Sequence, residues 1–596
     1  MILLLWISPA LVVAQAKYDK LLKKAEDPYI TGNYSKAISG LNKFKRKAFK
    51  KLGQQNAYTP IYYMRLAKYN LASGYIKEFE TNLEQAVSSS KAINLENSQT
   101  YGLILVEAAE LHNMNGSFRI AREYLNQAKQ VLEGGEFMKD ITKGRYELAL
   151  AETLTGQGYY SGAIELLMEL ERFYAGRAVK QETSVDSKGN LKSRRLTDEE
   201  LTERYEKYGY LRSLLGWSLS SMGKKNSADS ILDLNTLWLR KNLGQANLEY
   251  VRNQFIIANH YLMHGHDGDL PKGVDFGNTL NNIKNKHNPA HYLAVSIYEN
   301  YLRELQKSGS SAKYLNAKLE YEKMIAKNYD SKSIYNVRLK AVEFDARLDK
   351  DRTKNLETQA NTLIANTVSL PRNSIVTANV IEFLYGLALY KKNYGNAEKY
   401  LNDIIEIKSD LFGADAPETH LARLHLANFY IDNTNKFSEA SKIYDDSYVK
   451  IVSKEIDSWH KDHLDILNHM AVLYELIDRY SDADQVLQKA GYVAQRKFDN
   501  EDYEFADELT KIARLQIKLG QYEKADENLD KSIAVLKLKK NDDKKTEMVQ
   551  AIETQATLFG IKGLFDEAES NLDRSRKIIR KADKLIGLDE LNTARE

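Results

Sequence analysis

The chain has 596 residues, 43% of them hydrophobic, which is ample material for burial and excludes bulk disorder. Its 85 basic and 82 acidic residues leave a formal net charge of +3, so bulk charge gives no argument for a polyanion partner. There are no cysteines, which excludes disulfides, thiolate zinc sites, cysteine nucleophiles and lipid attachment through an N-terminal cysteine.

Residues 1–16 have the character of an export signal. Met1–Ile7 and Leu11–Val13 form a short apolar core broken by Pro9, and Ala14-Gln15-Ala16 supplies a small-x-small cleavage pattern. No Lys or Arg precedes that core, and a buried first helix is the rival expectation. No later stretch is long and uncharged enough to span a bilayer, so the mature chain is expected to lack a transmembrane segment.

From Lys17 the sequence takes on a helical period, helped by a content of only 7 prolines. A signature Gly-x-aromatic-x-x-Ala appears at Gly32-Asn33-Tyr34-Ser35-Lys36-Ala37 and weakly at Gly74 and Phe79. It returns at Gly116-Ser117-Phe118-Arg119-Ile120-Ala121 and at Gly158-Tyr159-Tyr160-Ser161-Gly162-Ala163. The last position of the signature, 37, 79, 121 and 163, recurs every 42 residues. Such a period predicts stacked helical hairpins. Glycine permits the positive φ that ends the first helix, the small residue lets the second helix cross the first, and the aromatic is expected to wedge the pair. This N-terminal array spans 17–175.

Residues 176–203, with few apolar positions and no helical period, are expected to form an exposed insertion. Ala163 to Ala228 is one period of 42 plus 23 extra residues. From Ala228 to Ala397, 169 residues suit about four periods, so degenerate helical repeats should fill 204–375, one of them around Ala312. Pro371 marks a joint. The C-terminal array, 376–596, restores the pattern at Ala397, Ala440, Tyr480 with Ala483, Gly520-Gln521-Tyr522-Glu523-Lys524-Ala525 and Gly563-Leu564-Phe565-Asp566-Glu567-Ala568. Its alanines lie 43, 43, 42 and 43 apart. A charged last helix near Asn571–Ile586 would cap the stack.

These residues resemble the tetratricopeptide repeat family. With the crossing Ala as twentieth residue of each repeat, the eighth place holds a small residue, as the family prefers, at Ala109, Ala151, Gly216, Ala471, Ala513 and Ala556. Leu215-Gly216 and Tyr474 match further family positions. The resemblance covers about 17–170 and 378–580, and the long period is similar to the kinesin light chain type rather than the usual 34 residues. It implies an all-α, right-handed superhelical solenoid of antiparallel helix pairs whose concave wall is lined by the first helix of each pair. In the C-terminal array the inward positions are then His425, Phe429, Asn468, Val472, Glu475, Arg514 and Lys518, a mixture suited to an extended peptide or a helix. The Lys/Asn set by which some relatives clamp a C-terminal carboxylate is not reproduced.

Other clusters have two explanations each. His260 and His264 are four apart, with His266, Asp267 and Asp269 following and His287 and His291 another four-spaced pair. They are weak zinc candidates that lack the Glu of His-Glu-x-x-His, against the plainer expectation of a polar loop. Lys43, Lys45, Arg46, Lys47, Lys50 and Lys51, with Phe44 and Phe49 between, suit either phosphate contact or a solvated helix face with both rings inward. No phosphate loop, dinucleotide fingerprint or Gly-x-Ser-x-Gly occurs. The expectation is an exported, non-catalytic scaffold in the periplasm or cell envelope (cytoplasmic if the N-terminus is no signal). It would bind protein or peptide partners, need no cofactor and bind no nucleic acid. The alternatives are the sensor half of a kinase or caspase-like signalling system and, more remotely, a metal-dependent enzyme at 260–291.

Overall fold

A computed structural model describes residues 9–138, 140–178, 181–185, 191–264, 275–307, 310–348, 355–366, 374–451, 455–456, 460, 462–497, 503–538 and 545–583. The chain divides into two compact units, Met1–Arg423 and Leu424–Glu596. Among the described residues there are 26 helices, which follow one another as helix pairs. The first six pairs are α1 (Pro9–Ile30) with α2 (Tyr34–Leu52), α3 (Tyr58–Ala72) with α4 (Ile76–Ala92), α5 (Gln99–Asn115) with α6 (Phe118–Gly134), α7 (Asp140–Gln157) with α8 (Tyr160–Ala175), α9 (Asp198–Met222) with α10 (Lys225–Asn242), and α11 (Leu248–His264) with α12 (Phe276–Lys284). Next come α13 (Tyr292–Lys307) with α14 (Ser311–Asn328), α15 (Ile334–Leu348) with α16 (Asn355–Asn366), α17 (Ile375–Tyr390) with α18 (Tyr394–Phe412), and α19 (Pro417–Asn433) with α20 (Phe437–Ile451). The last three are α21 (His463–Leu476) with α22 (Tyr480–Lys497), α23 (Tyr503–Lys518) with α24 (Tyr522–Leu538), and α25 (Lys545–Ile561) with α26 (Phe565–Asp583). The all-α solenoid of paired helices expected from the period is therefore present, and the division between units falls inside α19.

The packing reason for the period is visible residue by residue. Ala37, Ala121, Ala163, Ala228 and Ala397 in the first unit, and Ala440, Ala483 and Ala525 in the second, have no accessible surface. At the eighth place, Ala109, Ala151 and Ala513 are equally enclosed, and a Cβ on Gly216 would fall 2.4 Å from Leu232 Cδ2. Around these small residues the packing leaves no room for a larger side chain. Phe79 fills the crossing in the second pair and is fully buried. Two expectations shift. Ala312 is exposed, and the place of the crossing residue, fourth in the second helix, is held in its pair by the half-buried Tyr314; Ala568, on α26, is only partly buried.

Inside the first unit the stack returns on itself after six pairs, a feature with no counterpart among the sequence expectations. The turn glycines Gly32, Gly74, Gly116 and Gly158 each face a residue 259 positions later: His291, Ser333, Ile375 and Pro417. At the first turn Asn288 N donates to Thr31 O (2.8 Å) and Tyr292 N donates to the Tyr34 hydroxyl (2.9 Å). At the second, Ile334 N donates to Gly74 O (2.9 Å), Ser333 Oγ to Ser73 O (2.8 Å) and the Tyr335 hydroxyl to Ala72 O (2.9 Å). At the third, Phe118 stacks on Phe412 with centroids 5.8 Å apart and Arg119 Nε donates to Asp410 O (2.9 Å). At the fourth, Gln157 Nε2 donates to Phe412 O (2.6 Å) and the Tyr160 hydroxyl to Glu418 (3.0 Å). The turn aromatics Tyr34, Phe118 and Tyr160 thus do more than wedge their own hairpins: they bond or stack onto a later pair. In the second unit their counterparts face outward, Tyr480 being 40% and Phe565 72% exposed, with Tyr522 half-buried.

Part of the stretch 176–203 has regular structure among its described residues. It holds a two-stranded antiparallel ribbon, β1 (Gln181–Val185) paired with β2 (Leu191–Arg195) in the register Gln181 to Arg195. The helical array resumes at Asp198, before the expected boundary at 203, because Thr197 and Glu200 form a reciprocal capping box and Asp198, Glu199 and Glu200 complement the helix dipole. The basic run on α2 is a solvated face: Phe44 and Phe49 are buried, and Lys45 lies over the Tyr62 ring. The export boundary at Ala16 falls within α1, and Pro371 and the tail beyond Asp583 lie outside the described residues. Among the described residues no helix is long and apolar enough to cross a membrane.

Candidate functional site

The expected groove residues of the second unit are separated by their surroundings. Phe429 is 2% exposed and belongs to the core, which corrects its assignment to the groove. His425 is half-exposed with Nε2 3.9 Å from Asp462 Oδ2. On α21, Asn468 donates to Glu508 on α23 (3.0 Å), and burial raises the Glu508 carboxyl against the opposing pull of Lys511 and of this amide. Glu475 pairs with Lys518 across the same two helices. Val472 is 46% exposed, and Arg514 is exposed. The period explains these rungs, since equivalent positions of successive first helices stack side by side; Glu475 and Lys518 are 43 residues apart.

The same rungs run along first helices of the first unit, at residues that sequence reasoning did not single out. Arg65 binds Glu26 at 2.6 Å, with the Tyr69 hydroxyl donating to the same carboxylate. Arg145 grips Glu110 with two nitrogens at 2.8 and 2.6 Å, and Arg338 binds Glu299 at 2.7 Å. Between them, burial pushes the Glu152 carboxyl up to about 7 despite the Tyr210 hydroxyl and the nearby Arg252 charge. Arg252 lies over the Tyr210 ring at 4.9 Å and donates to the Tyr292 hydroxyl. An Arg about 35–40 residues after a Glu on the next first helix is the signal that would have located this wall. Its cations are held by its own carboxylates, which leaves little field for an anionic ligand.

The histidine cluster resolves into packing. His260 is on α11 rather than in a polar loop; it has no accessible surface, with Nδ1 2.7 Å from Ser220 Oγ and Nε2 2.9 Å from Asp229 Oδ1. Hydroxyl, imidazole and carboxylate are in the order of a hydrolytic relay, but Ser220 is itself wholly enclosed, so no substrate carbonyl can meet it. The trio ties α9, α10 and α11 together. His264 lies 3.0 Å from Ser220 O. His266, Asp267 and Asp269 lie outside the described residues. His287 and His291 do not share a helix face, since both lie in the loop between α12 and α13. Burial, then His287 and Arg252, push the His291 imidazole down to about 3. Among the described residues no group of three or more His, Cys, Asp or Glu could hold a metal ion.

No protein-family model matches the chain, and no curated protein matches it. Among the solved structures similar to it at low identity are two helical ones. A monomeric mutant of IFIT1 with Gppp-AAAA is 13% identical, with a TM-score of 0.39 over 83% of this chain and 94% of that one. Yeast Tom70 is 14% identical, with a TM-score of 0.29 over 98% of this chain and 96% of that one. The helix pairs themselves, with their small crossing residues and regular period, define a helical-repeat protein of tetratricopeptide-like architecture.

Proposed function

We propose that this protein is a non-catalytic interaction scaffold of the long-period tetratricopeptide kind, exported to the cell envelope, which holds a protein or peptide partner on the first-helix surface of its second unit. The observation that carries this reading is the surface at Val472 and Arg514. It places an exposed apolar side chain and an exposed cation on adjacent first helices, beside the Glu475–Lys518 rung. An apolar anchor flanked by charge suits an extended segment or an amphipathic helix with an acidic edge. The enclosure of Ser220 and His260 weighs against the alternative of an enzyme at 260–291.

The double variant Val472→Asp, Arg514→Glu tests it, since both side chains are exposed and neither supports the core. Crosslinking and affinity capture of the full chain from intact cells should recover specific partners with the parent and lose them with the variant, at unchanged helicity. An identical set of captured proteins from both would sink the assignment. Fractionation of the same cells, with the chain expected outside the cytoplasm, tests export separately.

A further inference from the structure

The self-contact of the first unit has two edges, and both recur elsewhere without an occupant. One edge is a hairpin turn: at Gly32, Gly74 and Gly158 a Cβ would come within 3.1, 2.5 and 3.0 Å of the later pair. The equivalent turns at Gly520 and Gly563 keep the same left-handed backbone, φ +72° and +77°, yet a Cβ there meets no described atom within 4 Å. The other edge is the loop that leads into a first helix. Gly413, just before α19, is approached by Gln157 at 3.9 Å, whereas a Cβ on the corresponding Gly53 before α3 or Gly244 before α11 meets no described atom within 4 Å. Two turns of the second unit, those at Asp478 and Gly563, are also apolar: Leu476 is 49%, Tyr480 40%, Ile561 51%, Leu564 41% and Phe565 72% exposed. Scattered single hydrophobics are ordinary on a surface, but a row repeated at one structural position is not.

We infer that the turn edge of the second unit docks on the open loop edge of the first unit in a second copy of this chain. The chain itself argues for that occupant, because its turns already fit its own first-helix starts. Several of those bonds run backbone to backbone or to backbone (Asn288 N to Thr31 O, Ile334 N to Gly74 O, Gln157 Nε2 to Phe412 O), so the fit carries over to other pairs. With the first pair of the next copy continuing the stack beyond the last pair of this one, the six-pair offset of the self-contact brings the turn at Phe565 to the loop at Gly244, before the sixth pair of that copy. Such a contact is heterologous, joining different surfaces of the two copies, and it propagates or closes into a ring. It does not use the Val472–Arg514 surface, so each proposal stands or falls alone.

The test is sedimentation of the full chain across micromolar concentrations, beside Leu564→Asp, Phe565→Asp. The parent should grow in mass with concentration, and the variant should need at least about tenfold more protein to do so at the same helicity. The cysteine-free background allows a second measurement. Mixing a Leu564→Cys chain with a Gln245→Cys chain should give a disulfide-linked pair under mild oxidation, and a Lys47→Cys control should not. A parent that stays monomeric throughout, a variant that associates like the parent, or crosslinking as efficient to the control site would overturn the proposal. So would finding this edge covered in cells by a different protein.

Discussion

Two sets of hairpin turns have the same local design and opposite surroundings. Gly74 and Gly520 both end a first helix in the left-handed region, φ +77° and +72°, and each is followed by the start of a second helix. Around Gly74 a later helix pair closes to within bonding distance; around Gly520 a Cβ would meet no described atom within 4 Å. Where the turn is open, glycine is dispensable: Lys392 and Asp478 occupy the equivalent place at φ +55° and +60°. The left-handed conformation is thus a demand of the hairpin, while the absence of a side chain is a demand of the self-contact.

Substituting both glycines separates the two demands. Gly520→Ala should cost about 1–2 kcal/mol, the backbone strain alone. Gly74→Ala adds a Cβ 2.5 Å from Ser333 Oγ and should cost about 2–5 kcal/mol in all, the extra coming from overpacking. Urea unfolding of the two variants reads the difference, and equal losses would mean that the self-contact yields without resistance.

Acid sharpens the comparison from the other side. His112, in the core of the first unit, packs between Phe79 and Tyr124, and burial pushes its imidazole down to about 4. Below about pH 6.5 the unfolded chain takes up a proton that the folded ring refuses until about pH 4. Stability is therefore lost as pH falls through that window, by on the order of 2–3 kcal/mol at this residue. His112→Gln should flatten the fall in urea midpoint between pH 7.5 and 4.5; a slope identical to the parent's would show that the ring titrates normally.

The repeat was legible because one local rule, a small residue at each crossing, was written many times at a constant interval. Ala121, Ala163, Ala483 and Ala525 obey it, and their burial follows. The self-contact was not legible, because Thr31 O, Gly74 O and Ile334 N are backbone groups that every sequence supplies. Only Tyr34, Phe118 and Tyr160 marked it, and they had a sufficient local explanation in the hairpin. The groove residues fared unevenly for a geometric reason. Phe429, Val472 and Arg514 all stand eleven residues before their crossing alanine, yet Phe429 is 2% and Val472 46% exposed, so the place in the repeat names the helix while the neighbouring side chains decide what is covered. The ribbon at 181–195 was hidden because its pairing register does not announce itself in the sequence.

The smallest expected effects compare one kind of rung in two settings. Arg145 holds Glu110 through two nitrogens, with both side chains 33% exposed and Glu107 close by. Arg145→Ala strands partly desolvated carboxylates and should cost about 1–3 kcal/mol. Lys518 meets Glu475 through one flexible ammonium, itself 48% exposed. Water competes for that contact, salt screens it, and ordering the long side chain offsets much of the attraction, so Lys518→Ala should change stability by no more than about 0.5 kcal/mol. A double-mutant cycle with Glu475→Ala measures the coupling directly. A value near 2 kcal/mol or above would show that this surface is more desolvated than its exposure implies, and would make Lys518 a structural strut rather than a side chain available to a partner.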